Sequence, residues 1–127
     1  MPLSDTAIRT LVDGVAGRGP LSLCLLYMLD GAYATVDDEA TAFGGGRSPR
    51  LNAFIVGQTP SADGFEGQQT WARALHAALA PVALDGRYLN GVADPDDEDR
   101  RTAYGTKLGR LEMIRRAYDP EGLFAAH

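Results

Sequence analysis

Tyr88 and Asn90 are spaced so that they could share one chemical site. We predict that the segment 82–90 is extended, with a bend at Asp85-Gly86. Side chains alternate along a strand, so Tyr88 and Asn90 should face one side and Leu89 the other. This arrangement would place a proton acceptor beside an amide. A tyrosine base needs a nearby cation or hydrogen bonds to its oxyanion, because a free phenol has a pKa of about 10. Arg87 should point to the opposite face, so these residues alone favour a half-buried structural tyrosine.

Other reactive residue types lack the spacing of a catalytic or metal site. His76 and His127 have no second ligand at metal-binding spacing, so neither predicts a zinc or iron centre. The serines lack the turn that exposes a nucleophile. Cys24, the single cysteine, lies in an apolar run where a small buried side chain is expected. The acidic cluster at 94–99 is typical of a solvated loop and helix start.

The composition is that of one globular domain, predicted over residues 1–127. The chain is long enough to bury a core, and 45% of its residues are hydrophobic. A net charge of −5 without a lysine and arginine cluster excludes a nucleic-acid backbone as partner. We find no leader and no apolar run near the roughly 20 residues of a membrane helix. With a single cysteine, this predicts a cytoplasmic protein without a membrane partner.

Hydrophobic periodicity predicts three helices. The first begins at Ser4 or Asp5 and ends near Gly17. The second covers about residues 66–79 and is stopped by Pro81. The third follows residues 94–95 and ends at 119–120, after which Leu123 and Phe124 are expected to fold back onto it.

Extended segments are predicted between the helices. The apolar runs 21–29 and 51–57 are typical of strands. Asp30-Gly31 favours a tight hairpin that would return the chain into a strand at 32–36, with a further extended piece at 41–43. Such short connections require antiparallel pairing. The predicted fold class is therefore α+β, with an antiparallel sheet, helices packed on one face, and a C-terminal helix and tail.

From residue 88 onward the chain carries an ordered pattern of motifs. They are Tyr-x-Asn, an acidic spacer, Tyr-Gly, Arg-Leu, a basic residue, then Tyr-Asp-Pro and Phe. The matching residues are Tyr88, Asn90, Tyr104, Gly105, Arg110, Leu111, Arg115, Tyr118, Asp119, Pro120 and Phe124. This order and spacing resembles the C-terminal signature of the berberine-bridge-enzyme-like flavin oxidases. Weaker matches upstream, at 31–32, at 41–43 and from Trp71 to Pro81, extend the resemblance over nearly the whole chain.

The resemblance implies the substrate-side and C-terminal portion of an FAD-linked oxidoreductase. In such enzymes hydride passes to flavin N5, and the position of Tyr88 holds the base that removes a hydroxyl proton. Asn90, Tyr104 and Arg47 would lie near the substrate or the cofactor. These 127 residues contain no recognisable FAD-binding half, so FAD would be held chiefly by a partner chain or a missing domain. The substrate would be a small aromatic or polyketide-like metabolite of secondary metabolism.

Three positions depart from the family pattern. Lys107 and Gly122 stand where the family usually has asparagine, and glycines 44–46 replace a histidine often found ahead of the arginine matched by Arg47. A second interpretation therefore stays open: a flavin-independent cyclase or isomerase, or a small-metabolite-binding protein. Such a stand-alone protein is expected to be a homodimer, because one layer of helices covers only one face of a sheet. A dimeric accessory protein without chemistry is the third possibility.

Overall fold

The structure is a computed structural model that describes residues 3–93 and 95–124. The chain divides into two compact units. The first comprises Met1–Tyr33 and Ser48–Leu84, and the second comprises Ala34–Arg47 and Asp85–His127. The predicted α+β class is confirmed, because an antiparallel sheet occurs together with helices. The candidate ligand His127 and the acidic residue Asp94 lie outside the described residues.

The first unit is built from a two-stranded sheet and two helices. Helix α1 (Asp5–Ala16) begins at Ser4, whose side chain accepts a hydrogen bond from the Ala7 amide at 3.2 Å, as the capping pattern predicted. Strands β1 (Leu23–Leu29) and β2 (Arg50–Val56) pair antiparallel, with Leu23 opposite Val56. Both strands and the second helix, α3 (Phe65–Leu79), were predicted from periodicity and are confirmed.

The predicted hairpin at Asp30-Gly31 is wrong. Gly31 does adopt a positive φ of 59°, but the chain continues into the short helix α2 (Ala32–Thr35) instead of a returning strand. The amide of Tyr33 donates to the carbonyl of Asp30 at 3.3 Å, and helix α2 begins within this turn. Alanines favour such a turn over a strand. The partner of β1 is consequently β2, and residues 41–43 are not part of the sheet.

Helix α3 holds the first unit together through one buried side chain and two polar ones. Leu75 is only 2% exposed. The Trp71 indole donates to the carbonyl of Gly14 on α1 at 2.8 Å. The Gln68 Oε1 accepts from the Gly19 amide at 2.9 Å and from the Ser22 hydroxyl at 2.6 Å. Helix α3 is thus hydrogen-bonded both to α1 and to the segment 19–22 that leads into β1. These bonds satisfy the polar groups of the connection and restrict its conformation.

The second unit contains helices α4 (Asp97–Tyr104) and α5 (Leu108–Tyr118). The single helix predicted here is interrupted, because Gly105 has a φ of 50° and a helix cannot continue through that conformation. Asp119 ends α5, and its carboxylate accepts from the amides of Leu123 and Phe124 at 2.7 and 2.9 Å. The side chains of Leu123 and Phe124 are 75% and 88% exposed, so the expected packing against the last helix is not found.

The strand predicted over 82–90 is also wrong. A turn of 3-10 helix covers Ala80–Val82, and a second covers Leu89–Gly91. Gly86 adopts a φ of 111°, and a Cβ placed there would lie 2.6 Å from the Gly45 carbonyl oxygen. The bend predicted at Asp85-Gly86 is confirmed, because the backbone turns at Gly86 and lies close to the glycine loop 44–46. Residues 82–90 accordingly form no strand.

Substitution of two glycines, one directly after β2 and one in α3, tests how closely α3 packs against the end of β2. A Cβ at Gly57 would lie 2.5 Å from the main-chain oxygen of Gln68, whereas a Cβ at Gly67 meets nothing within 4 Å. We expect Gly57→Ala to lower the free energy of unfolding by about 1–3 kcal/mol, because the helix backbone must move. Gly67→Ala should raise it by up to about 1 kcal/mol through helix propensity. Urea unfolding followed by the single tryptophan measures both, and equal effects would contradict this packing.

Candidate functional site

A short turn brings Tyr88 and Asn90 together. Residues Leu89–Gly91 form one turn of 3-10 helix, closed by a hydrogen bond from the Gly91 amide to the Tyr88 carbonyl. The Asn90 Nδ2 lies 3.1 Å from the phenolic oxygen of Tyr88. The two side chains are thus adjacent, as expected, but a tight turn rather than strand alternation causes it.

Tyr88 borders a pocket of about 220 Å³ in the second unit. Its walls include the rings of Phe43, Tyr88 and Tyr104 and the amide of Asn90. The Phe43 and Tyr88 rings are stacked, with centroids 5.7 Å apart and planes inclined by 20°. None of the lining residues carries a charge; the remaining ones are Ala42, Gly44 and Leu89. Such walls favour a planar, uncharged group that stacks on aromatic faces and accepts or donates one or two hydrogen bonds.

Arg47 is not one of the residues that line the pocket, but it contacts one of them, Phe43. Its guanidinium carbon is 4.7 Å from the centroid of the Phe43 ring, and its Nη2 donates to the Thr41 hydroxyl at 2.7 Å. A cation over an aromatic face is attracted by the ring quadrupole. Of the four residues predicted to form a site, Tyr88, Asn90 and Tyr104 line the pocket, and Arg47 contacts it through Phe43.

Arg87, the cation adjacent to Tyr88 in sequence, has another partner. It forms an ion pair with Asp99, whose carboxylate also accepts from the Asp96 amide at 3.2 Å. The Asp96 side chain accepts in return from the Asp99 amide at 2.8 Å, which completes a capping box at the start of α4. Arg87 thus stabilises the start of a helix. The hydrogen-bond donor observed at the phenolic oxygen of Tyr88 is Asn90.

Lys107 also belongs to this region, although the sequence alone did not predict a role for it here. Its side chain is buried at 7% exposure, and its Nζ donates to the Phe43 carbonyl at 2.7 Å. The same Nζ donates to the carbonyl and the carboxylate of Asp38, each at 3.0 Å. The sequence singled out Lys107 only as a departure from a family pattern. Its contacts tie the segment that carries Phe43 to the start of α5.

The described residues also bear on metal binding and on cysteine chemistry. Among residues 3–93 and 95–124, no group of three His, Cys, Asp or Glu side chains could hold a metal ion. Cys24 lies half-buried on β1, and burial raises the pKa of its thiol because the thiolate would lose solvation. A raised pKa leaves less of the nucleophilic thiolate at neutral pH.

Comparison with known proteins gives no assignment of family. No protein-family model and no curated protein sequence matches this chain. In the part of the chain that the structure describes, no helix is both long and apolar enough to cross a membrane.

The buried thiol yields a reactivity prediction. We expect Cys24 to react with DTNB at neutral pH several-fold more slowly in the folded protein than in urea, since the thiol must ionise first. The folded state resists ionisation, so the stability that Cys24 contributes is complete below the ordinary pKa of a thiol and declines as the pH rises above that value. The chain contains one cysteine, so the signal has one source. Equal rates in folded and unfolded protein would contradict this account.

Proposed function

We propose that this chain is the substrate-side portion of an FAD-linked oxidoreductase of the berberine-bridge-enzyme-like kind, with Tyr88 as the base. The observation that carries the proposal is the Tyr88–Asn90 pair at the wall of an aromatic pocket. The C-terminal motif resemblance supplies the reaction class. FAD is then held by a partner chain or by a domain outside these residues.

The proton step follows from the Tyr88–Asn90 contact. A substrate hydroxyl gives its proton to the phenolate of Tyr88 while the carbon beneath it loses a hydride, and a carbonyl results. FAD, when bound, supplies the hydride acceptor. The Asn90 amide donates to the phenolic oxygen at 3.1 Å. This contact fixes the position of the phenolic oxygen that receives the proton.

The chemistry of the pocket fits one end of such a ligand. Its uncharged, aromatic walls suit a substrate ring or the edge of an isoalloxazine, but not a pyrophosphate, which needs cations or helix N-termini. The volume of about 220 Å³ is below the roughly 300–1,000 Å³ of pockets for drug-sized ligands. We infer that a single small aromatic ring is enclosed and that the rest of the ligand is covered from outside.

Exposed apolar side chains support the need for a covering partner. In the second unit they cluster near the C-terminus: Met113, Ile114, Tyr118, Leu123 and Phe124. In the first unit four consecutive residues of β1, Leu25, Leu26, Tyr27 and Met28, are exposed. Exposed large apolar side chains in such number are typical of an interface. An FAD-binding domain is the proposed occupant.

One observation favours the second candidate function, a flavin-independent homodimer that binds a small aromatic metabolite. The residues that line the aromatic pocket all belong to the second unit, so ligand binding does not require a flavin to complete the pocket. A cyclase or isomerase would use Tyr88 in the same way, as an acceptor of one proton.

The test begins with the chain purified from its own cells through an affinity tag. The proposal predicts a yellow complex with the absorption spectrum of oxidised flavin and a mass that includes an FAD-binding partner. Under anaerobic conditions, small aromatic alcohols should bleach the flavin. Tyr88→Phe should slow this reduction by about 10²–10⁴-fold, because general base catalysis is lost.

Tyr33→Phe is the control, since Tyr33 lies in the first unit and belongs neither to the pocket lining nor to the exposed apolar residues proposed to contact the FAD-binding domain. Its reduction rate should equal that of the unsubstituted chain. Equal rates for Tyr88→Phe would eliminate the tyrosine base. A colourless homodimer that binds aromatic alcohols by itself would replace the flavin proposal with the second candidate.

A further inference from the structure

Lys107 is the single lysine of the chain. Lys107 is only 6% exposed. Among the described residues of the second unit, the buried hydrophobic side chain is the small one of Ala103. Removing an ammonium group from water is costly unless its charge and its donors are satisfied. A buried lysine at this position therefore implies that the folded protein holds it in a defined set of contacts.

The contacts of Lys107 satisfy the group completely. An ammonium has three N–H donors, and three oxygen atoms lie within 3.0 Å of the Nζ. One is the carboxylate of Asp38, which balances the charge. The other two are the main-chain carbonyls of Asp38 and Phe43. Because all donors are engaged, Lys107 is a structural cation rather than a nucleophile.

These bonds fix the backbone on which Phe43 is mounted. Lys107 holds the carbonyl of Phe43 at 2.7 Å, and the Gly45 amide donates to the Ala103 carbonyl at 2.9 Å two residues later. Phe43 is thereby fastened on both sides to the junction of α4 and α5. Its ring, in turn, stacks on Tyr88.

We propose that Lys107 is a positioning residue for the aromatic pocket. Its ammonium holds the segment 38–43 so that the Phe43 ring stacks against Tyr88 and sets the width of the pocket. The functional meaning of this role rests on the function proposed above for Tyr88. The geometric claim stands apart from it, because it concerns two rings of this chain and needs neither flavin nor substrate.

The experiment removes and then restores the ammonium. In a Cys24→Ser background, Lys107→Cys is prepared, unfolded, and either left free or alkylated with bromoethylamine, which rebuilds a side chain of lysine's length and charge. After refolding, nuclear Overhauser contacts between the Phe43 and Tyr88 rings are measured in protein labelled at phenylalanine and tyrosine. We expect the contacts in the parent, their loss with the free cysteine, and their return after alkylation.

A matched control separates pocket geometry from general stability. Thr106→Val removes a neighbouring bond to the same segment, from the Thr106 hydroxyl to the Glu39 carboxylate at 2.7 Å, but leaves Phe43 held. Its ring contacts should persist. Where the free cysteine variant does not refold, Asp38→Asn is measured instead, since Asp38 is 44% exposed and its amide leaves no cavity; weakened ring contacts are expected.

Two results would overturn the proposal. One is a Phe43–Tyr88 contact unchanged by loss of the ammonium, or unchanged in Asp38→Asn where that variant is needed. The other is a contact that alkylation fails to restore in refolded protein. Failure of the proposed oxidoreductase function would instead show as equal flavin reduction by the chain and its Tyr88→Phe variant, so the two claims fail separately.

Discussion

The buried ammonium of Lys107 is the interaction on which the candidate site depends. Its three acceptors lie 64 to 69 positions earlier in the chain, so a single side chain joins two distant segments of the second unit. Few apolar residues are available to do this, since Ala103 is the buried hydrophobic residue found among the described part of that unit. Where packing is sparse, a satisfied charge can fix geometry that a core would otherwise fix.

One side of the pocket is consequently held in place by hydrogen bonds to the backbone, and the other side is exposed to solvent. Phe43 is anchored through its backbone and contacts the Tyr88 ring on one hand and the Arg47 guanidinium on the other. Tyr88 is half-exposed, and the Asn90 amide donates to its phenolic oxygen. A proton acceptor positioned at the rim of a small aromatic pocket is suited to a ligand that is completed by something outside this chain. This is why the proposed reaction assigns substrate binding and proton transfer to these residues, with FAD held by a partner chain or by a domain outside them and its ring close to Tyr88.

The elements that were predicted correctly are those whose structure depends on interactions between residues close in sequence. Caps and periodicity located α1, α3 and both strands, because these signals act over a few residues. Sequence reasoning failed at 32–36 and 82–90, where the choice of strand partner and a glycine contact between distant loops decide the backbone. Tyr88 and Asn90 were correctly expected to be adjacent, although for the wrong reason. The role of Lys107 in joining two segments was not predicted, since two of its acceptors are main-chain carbonyls, which every residue type carries.

The emission of the bound flavin tests the central claim most directly. In the complex isolated from the native cells, a tyrosine in contact with the isoalloxazine quenches its fluorescence by electron transfer, which phenylalanine does not support. The account predicts strongly quenched emission in the complex and its recovery in Tyr88→Phe, with Tyr33→Phe remaining quenched. Emission that is the same in all three complexes would contradict the placement of Tyr88 at the flavin.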